Sequence, residues 1–444
     1  MKKVFLSLVG FSFLCRINAY SQAKADTNSN KSVAKTYIPI GYDTSDYRPH
    51  RLRLDAINLV SSYYNQNGDH SAVTGGIGSE KVTDISNGID LNFVWFDQAK
   101  RKNTITAGLG IDHHTSASSG YVALKGGADP SGSRIYPSLE WSVENTQKGT
   151  SFGLGAYYSN EYNYKSKGLD ISWSKKTNDK SGEFGVKLQG YFDDVTQILP
   201  SEFVKVIPPT YIPPGTTTYT TPSGNVVTVT TGGKVINSKN SLSSDPRTTL
   251  TAAFSYSQII NSRLQVMLLA DVVDQSGDLG LPFHRVYGTY FPNGKDSVEK
   301  LPATRFKLPL GIRANYFLGD NMILRSYYRY YADSWGVRAN TASLELAYKV
   351  SPFFSISPFY RYYTQSAAFY FAGYNEHKVT DQYYTSNYEY AQFNSQFFGV
   401  GIRLAPPKGV LGWQNLHELE LRYGHYATTE SLTSNVVSIS LGFK

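Results

Sequence analysis

The chain has 444 residues, is 41% hydrophobic and 18% charged, and carries a formal charge of +8 at pH 7 with a single cysteine. One cysteine excludes an internal disulfide framework or thiolate metal cage, and a modest positive excess without a basic helix or stacking platform excludes nucleic acid as a partner. No apolar run reaches the roughly 20 residues of a membrane-spanning helix, so any membrane crossing must be made by strands.

Residues 1–23 read as a cleavable secretory signal: Lys2 and Lys3 form the basic end, Val4 to Leu14 the apolar stretch, and Ser21-Gln22-Ala23 a small-x-small cleavage site. Lipid attachment at Cys15 would need a small residue before it, and Leu14 stands there. Cleavage after Ala23 removes that cysteine and the charges of Lys2, Lys3 and Arg16. Residues 24–50 are polar and aperiodic, a periplasmic lead-in too short for a folded plug.

From Arg51 the chain alternates. Ile89, Leu91, Phe93 and Trp95 are interleaved with Asp90 and Asn92, and Ile105, Ala107, Leu109 and Ile111 with Thr106, Gly108 and Gly110. Leu264 to Val272 and Phe306 to Tyr316 repeat the pattern. Side chains alternate across a strand, so each segment has one apolar face and one polar or Gly-rich face. The rhythm predicts strands at 51–64, 86–97, 104–113, 134–144, 151–160, 166–176, 183–194, 248–259, 263–274, 305–317, 321–332, 337–350, 353–364, 391–404, 416–426 and 434–443. Connections after even-numbered strands are mostly short. Those after odd-numbered strands are mostly long, including 65–85, 114–133, 195–247, 275–304 and 365–390. Short periplasmic turns, long external loops and an even strand count are the signature of an outer-membrane barrel.

The expected fold is therefore all-β: a transmembrane antiparallel β-barrel of about 16 strands over residues 51–444, with fourteen or eighteen also preserving the parity. A soluble sandwich or propeller would explain neither the parity nor the 35 Tyr and 23 Phe. The outward sets, among them Phe184/Val186/Leu188, Leu344/Leu346/Tyr348 and Phe398/Val400/Ile402/Leu404, hold no charge. A charge near the midplane costs about 2–4 kcal/mol in such barrels. The last strand presents Val437, Ile439, Leu441 and Phe443, an alternating ending that resembles the signal read by the barrel-insertion machinery, with Lys444 one residue extra.

Continuing the alternation turns Arg313, Arg325, Arg329, Arg361, Arg403 and Arg422 inward from strands ten, eleven, thirteen, fourteen and fifteen, and Asp90, Asp112, Glu140, Glu144 and Asp170 inward from strands two to six. Facing arcs of opposite charge would set a transverse field across a wet pore. The alternative is that these groups pair with one another, or with inward Glu345, Glu418 and Glu420, and fill the barrel. Gly108, Gly110, Gly153 and Gly155 fall on the inward face, where they make room.

Adjacent His113 and His114 point to opposite faces of a strand, so Asp112-His113-His114 does not form one metal site. Ser116 and Ser118 lie near them without a nucleophile elbow. No catalytic residue, metal or cofactor is expected. The segment 195–247, with Pro208-Pro209, Pro213-Pro214 and Asn225 to Gly233, predicts a β-hairpin above the membrane, or a constriction folded inward. The aromatic loops Tyr287 to Phe291 and Tyr370 to Tyr390 are expected to cap the barrel, or to bind sugars or peptides by stacking.

Three phrases, Asp112 to Ser119, Ser133 to Trp141 and Phe152 to Ala156, resemble a family of Gram-negative outer-membrane proteins grouped only as a domain of unknown function. The resemblance implies an outer-membrane barrel with no established substrate. Neighbouring genes in that family encode flavin-attaching transferases and small lipoproteins, which implies a periplasmic lipoprotein or flavoprotein partner. The functional expectation is a pore for small polar solutes, biased towards anions by the inward arginines. The rival is a non-conducting barrel that docks a periplasmic or surface partner. Outer-membrane lipids and the insertion machinery are the remaining expected partners.

Overall fold

The alternation becomes a ring of paired strands. In the computed structural model the described residues are 51–115, 131–200, 203, 210–212, 214–221, 224–232, 234–236, 243–288 and 296–444. The expected signal and lead-in lie outside them, as do Ser116, Ser118 and part of the first aromatic loop. Among the described residues the barrel strands are β1 (Arg53–Asn67), β2 (Val82–Phe96), β3 (Lys102–Thr115), β4 (Ser131–Asn145), β5 (Thr150–Glu161), β6 (Tyr164–Lys176), β7 (Gly182–Thr196), β8 (Ser244–Asn261), β9 (Leu264–Gly277), β10 (Thr304–Leu318), β11 (Met322–Asp333), β12 (Arg338–Ser351), β13 (Phe354–Gln365), β14 (Phe393–Leu404), β15 (Leu416–Thr428) and β16 (Thr433–Phe443).

Each strand pairs antiparallel with the next, and β1 pairs with β16, Ser61 opposite Ile439, so the sheet closes with no free edge. Closure satisfies every ladder donor and acceptor within the ring, which is the condition for crossing a bilayer with strands. The outward face is the apolar one: Leu169, Leu268 and Leu344 are 62%, 50% and 53% exposed, whereas Asp170, the neighbour of Leu169, is 4% exposed. Such a belt on a closed barrel is stable in lipid and not in water, and the protein is an outer-membrane β-barrel. Trp141 packs edge-on against Phe152, and Trp173 against Phe184, at the end carrying the short turns. Tyr63, Tyr328, Tyr362 and Tyr423 are exposed towards the other end, which places aromatics at both lipid boundaries. No helix is long and apolar enough to cross a membrane.

Of the long connection between β7 and β8, two antiparallel pairings are described. Thr210–Ile212 pairs with Lys234–Ile236, and Gly215–Thr220 with Val226–Thr231. They form the hairpin that the Thr/Val pattern predicts.

Candidate functional site

The outer mouth of the barrel is closed by its own loops. Residues 68–81, 278–288, 296–303 and 366–392 meet there, and Leu279, Trp335, Val337, Ala368 and Tyr390 form a buried apolar core within this layer. Arg285 Nη1 donates to the Val73 carbonyl at 3.0 Å, joining segments 212 residues apart in the chain. The β1–β2 and β9–β10 connections leave the ring on opposite sides, so this contact spans the mouth. The His70 ring lies flat on Tyr388, with centroids 3.8 Å apart. Glu299 accepts from the Leu281 amide at 2.7 Å and from Thr385 Oγ1 at 2.6 Å, tying the second loop to the third.

Below this core, Arg305 pairs with Asp333 and lies over the Trp335 ring, 4.3 Å from its centroid. Trp335 Nε1 donates to the Thr304 carbonyl at 2.9 Å. His284 is fully buried beside Glu299, its Nδ1 3.7 Å from the carboxylate. Neither ring nitrogen makes a hydrogen bond among the described residues. Burial holds this imidazole below the ordinary histidine range, against the opposing pull of Glu299. The cap is thus a folded layer with an apolar centre and polar ties between its loops. Tyr287, Tyr370, Phe371, Tyr388 and Tyr390 of the aromatic loops are part of it.

Beneath the cap, the inward arginines divide into two tiers. In the lower tier Arg325 Nη1 pairs with Glu345 Oε1 at 2.7 Å, Arg422 Nη2 with Glu345 Oε2 at 2.8 Å, and Arg422 Nη1 with Glu420 Oε1 at 3.0 Å. Arg403 grips Glu418 through two bonds of 2.9 and 3.0 Å. Glu345 is on β12 and Arg422 on β15, so this bridge passes over two intervening strands. It does so above Phe359, whose centroid lies 5.0 Å from the guanidinium. Gly399 supplies the clearance, since a Cβ there would stand 2.7 Å from Phe359 Cζ.

The upper tier is different in kind. Arg313 and Arg361 share one row of the sheet through Tyr327 and Ser343, and Arg329 sits one step closer to the cap. Arg313 stacks on Tyr327 at 5.4 Å, and Arg361 on Phe397 at 5.0 Å. Arg329 has a buried Nε with no hydrogen-bond partner among the described residues, and no carboxylate within 4.0 Å.

The acidic side is partly sealed. Asp112, 1% exposed, accepts from Arg134 Nη2 at 2.6 Å, from Tyr136 OH at 2.8 Å and from Ser86 Oγ. Asp170 pairs with Lys187 at 3.3 Å, and Glu144 with Lys176 at 3.3 Å. Glu140 is exposed although it points inward, and Asp90 lies over Gly108, where a Cβ would come within 2.9 Å of its Oδ1. His114 turns inward to Glu161 at 3.6 Å, whereas His113 turns outward to Ser133 at 2.9 Å. Among the described residues no group of three or more His, Cys, Asp or Glu is placed to hold a metal. Val437, Ile439, Leu441 and Phe443 form the outward row of β16, and Phe443 packs against Trp413 at 5.4 Å.

Sequence reasoning missed the counter-ions Arg134, Lys187 and Arg305. The first two sit on the inward phase of β4 and β7, a signal that alternation alone could have found. The ties of Arg285, Glu299 and Thr385 left no such signal, because loops carry no period.

Residues 112–434 match a family model described as protein of unknown function (DUF3570). None of the curated proteins matches the chain. Among solved structures the chain is similar to OccK9 (OpdG) of Pseudomonas aeruginosa, at 9% identity and a TM-score of 0.40, covering 87% of this chain and 97% of that one. A BenF-like porin from Pseudomonas fluorescens Pf-5 is similar at 10% identity and a TM-score of 0.39, covering 88% and 98%. CdiB from Acinetobacter baumannii is similar at 8% identity and a TM-score of 0.41, covering 88% of this chain and 60% of that one.

Proposed function

The chain belongs to this family of unknown function, and we propose that it is a gated pore passing small polar solutes across the outer membrane, with a preference for anions. The reading rests on one observation: inward charged side chains that reach solvent stand beneath a folded cap built from external loops. Glu140 is exposed, and the side chains of Arg403, Arg422 and Arg325 are 45%, 34% and 29% exposed although all point inward. A lumen packed solid would bury them. The cap supplies the gate, and Arg329, which forms no ion pair among the described residues, supplies the bias with Arg313 and Arg361 beside it. The lower arginines are neutralised by Glu345, Glu418 and Glu420, so their field is short-ranged.

The test is single-channel conductance of the refolded barrel in a planar bilayer, with anion and cation reversal potentials. Open steps with anion preference are expected, and the preference should fall in a triple variant replacing Arg313, Arg329 and Arg361 by Ala. The cap also favours a second reading, a closed barrel that docks a periplasmic or surface partner. An inserted barrel that stays electrically silent, with the cap intact or weakened, would replace the pore with that reading.

A further inference from the structure

Two opposite charges stand open beside each other in the wall of the lumen. Asp271 on β9 follows Leu268 and Ala270 of the outward row in the alternation, so its carboxylate turns inward. Among the described residues that carboxylate makes no hydrogen bond and no ion pair. Arg329 on β11 makes no ion pair among them either, and its buried Nε lacks a partner. Both residues are half-buried. Arg329 is nevertheless the charged side chain whose field acts on Asp271, and Tyr327 lies in the field of both. Inward charges nearby are taken: Lys187 by Asp170 at 3.3 Å, and Arg325 by Glu345 at 2.7 Å. Asp84, an inward carboxylate likewise without an ion pair, lies in the field of Arg134, which Asp112 already holds.

The sheet sets their separation. One strand, β10, runs between β9 and β11, so the two backbones stand on the order of 10 Å apart. Gly311 of β10 lies between Leu269 and Arg329 in one row of the sheet. Beside it the β9–β10 ladder passes from Ala270–Leu310 to Val273–Lys307 and skips Asp271, because Pro309 has no N–H to give. The floor between the charges is therefore bare. A Cβ on Gly311 would come within 3.2 Å of the Tyr327 ring and 3.5 Å of Leu269 Cβ, which edge that floor. Arginines of this barrel do reach across strands. Arg422 meets Glu345 past two of them, yet Arg329 and Asp271, with one strand between, stand apart.

We infer that Asp271 and Arg329 hold a small zwitterion of the α-amino acid class, its ammonium on Asp271 and its carboxylate on Arg329. The inference rests on the lumen being the solute path proposed above. A guanidinium binds a carboxylate through two parallel N–H bonds, and an ionised aspartate accepts from an ammonium. A plain anion would satisfy Arg329 and meet Asp271 as a like charge, and a plain cation would meet Arg329 in the same way. An α-amino acid carries its two charges on adjacent carbon atoms, and so bridges a gap that the two side chains leave open. Its own side chain would lie over Gly311, between Leu269 and Tyr327.

The experiment is isothermal titration of the full barrel, extracted from outer membranes in detergent, with L-alanine, propionate and ethylamine. Saturable binding of alanine is expected, with the other two weaker by roughly tenfold or more, the loss of one charged hydrogen-bonded contact. Arg329→Gln and Asp271→Asn should each weaken alanine by a similar factor, whereas Lys180→Gln in the β6–β7 turn should not. In Asp271→Asn propionate should also gain on alanine, a change of preference that a merely loosened barrel would not show. The folded state of each variant is checked by its heat-modifiable mobility on gels. Absence of saturable alanine binding, propionate bound by wild type as tightly as alanine, or alanine binding that survives Asp271→Asn would each overturn the inference. Alanine binding by a barrel that stays electrically silent would remove the passage and keep the site. Open steps without alanine binding would remove the site and keep the pore.

Discussion

Arg422 joins two carboxylates that the chain order keeps apart, and a side chain with that reach is hard to replace. Its guanidinium bonds Glu345 at 2.8 Å and Glu420 at 3.0 Å while lying over Phe359. A planar fork can serve both partners at once; an ammonium on the same backbone cannot. Arg422→Ala leaves Glu420 without its cation and Glu345 with Arg325 alone, an expected loss of about 1–3 kcal/mol. Arg403, whose side chain is 45% exposed and whose partner Glu418 is 32% exposed, belongs to the class of surface pairs. Arg403→Ala should cost at most about 1 kcal/mol. Urea midpoints of the two variants in detergent micelles decide between these accounts. Equal losses would mean that the bridge across β13 and β14 adds nothing to an ordinary ion pair.

At the scale of the strand, the face assignment makes a directional prediction. Leu268 is 50% exposed on the outer wall, whereas Gln265 Nε2, three residues earlier, donates inward to Ser257 at 3.1 Å. Leu268→Arg should cost about 2–4 kcal/mol of insertion free energy, with Gln265→Arg close to neutral. The fraction of heat-modifiable barrel recovered in the outer membrane measures both, and equal recovery would invert the assignment. The same face logic explains what could be read from the chain. Leu268, Leu310 and Leu344 could be assigned because lipid forbids charge at their positions, and this constraint located all sixteen strands. It stops at the headgroups. β2 begins at Val82 and β8 at Ser244, each four residues before the alternation becomes visible, because above the bilayer lipid no longer forbids polar residues on the outer face of a strand. Pro246 within β8 adds a loop-like residue to that upper end. The inward phase of the arginines follows from the same alternation. The pairing of the lower ones does not, since Arg422 reaches Glu345 over two strands and no local period records a bridge of that length.

Over the whole molecule, the proposed pore would place opening and selection in different layers, and the two should separate on mutation. The cap is held by Arg285, bonded to the Val73 carbonyl of a loop that leaves the ring on the opposite side, and by Trp335, whose ring packs on Arg305 of β10. Trp335 is 1% exposed, and truncating such a side chain typically removes about 3–5 kcal/mol from the structure around it. Most of that loss should fall on the cap, because the ladder hydrogen bonds of the barrel are untouched. Arg285→Ala and Trp335→Ala should therefore lengthen the open time of single channels while leaving the reversal potential in asymmetric salt where it was. Arg329→Ala should do the reverse, since its guanidinium lies below the cap and makes no ion pair among the described residues that holds a loop in place. It should move the reversal potential towards that of an unselective pore, with open times unchanged. If Arg285→Ala shifted the reversal potential instead, the loops would be the selective layer, and the arginine tier would be packing.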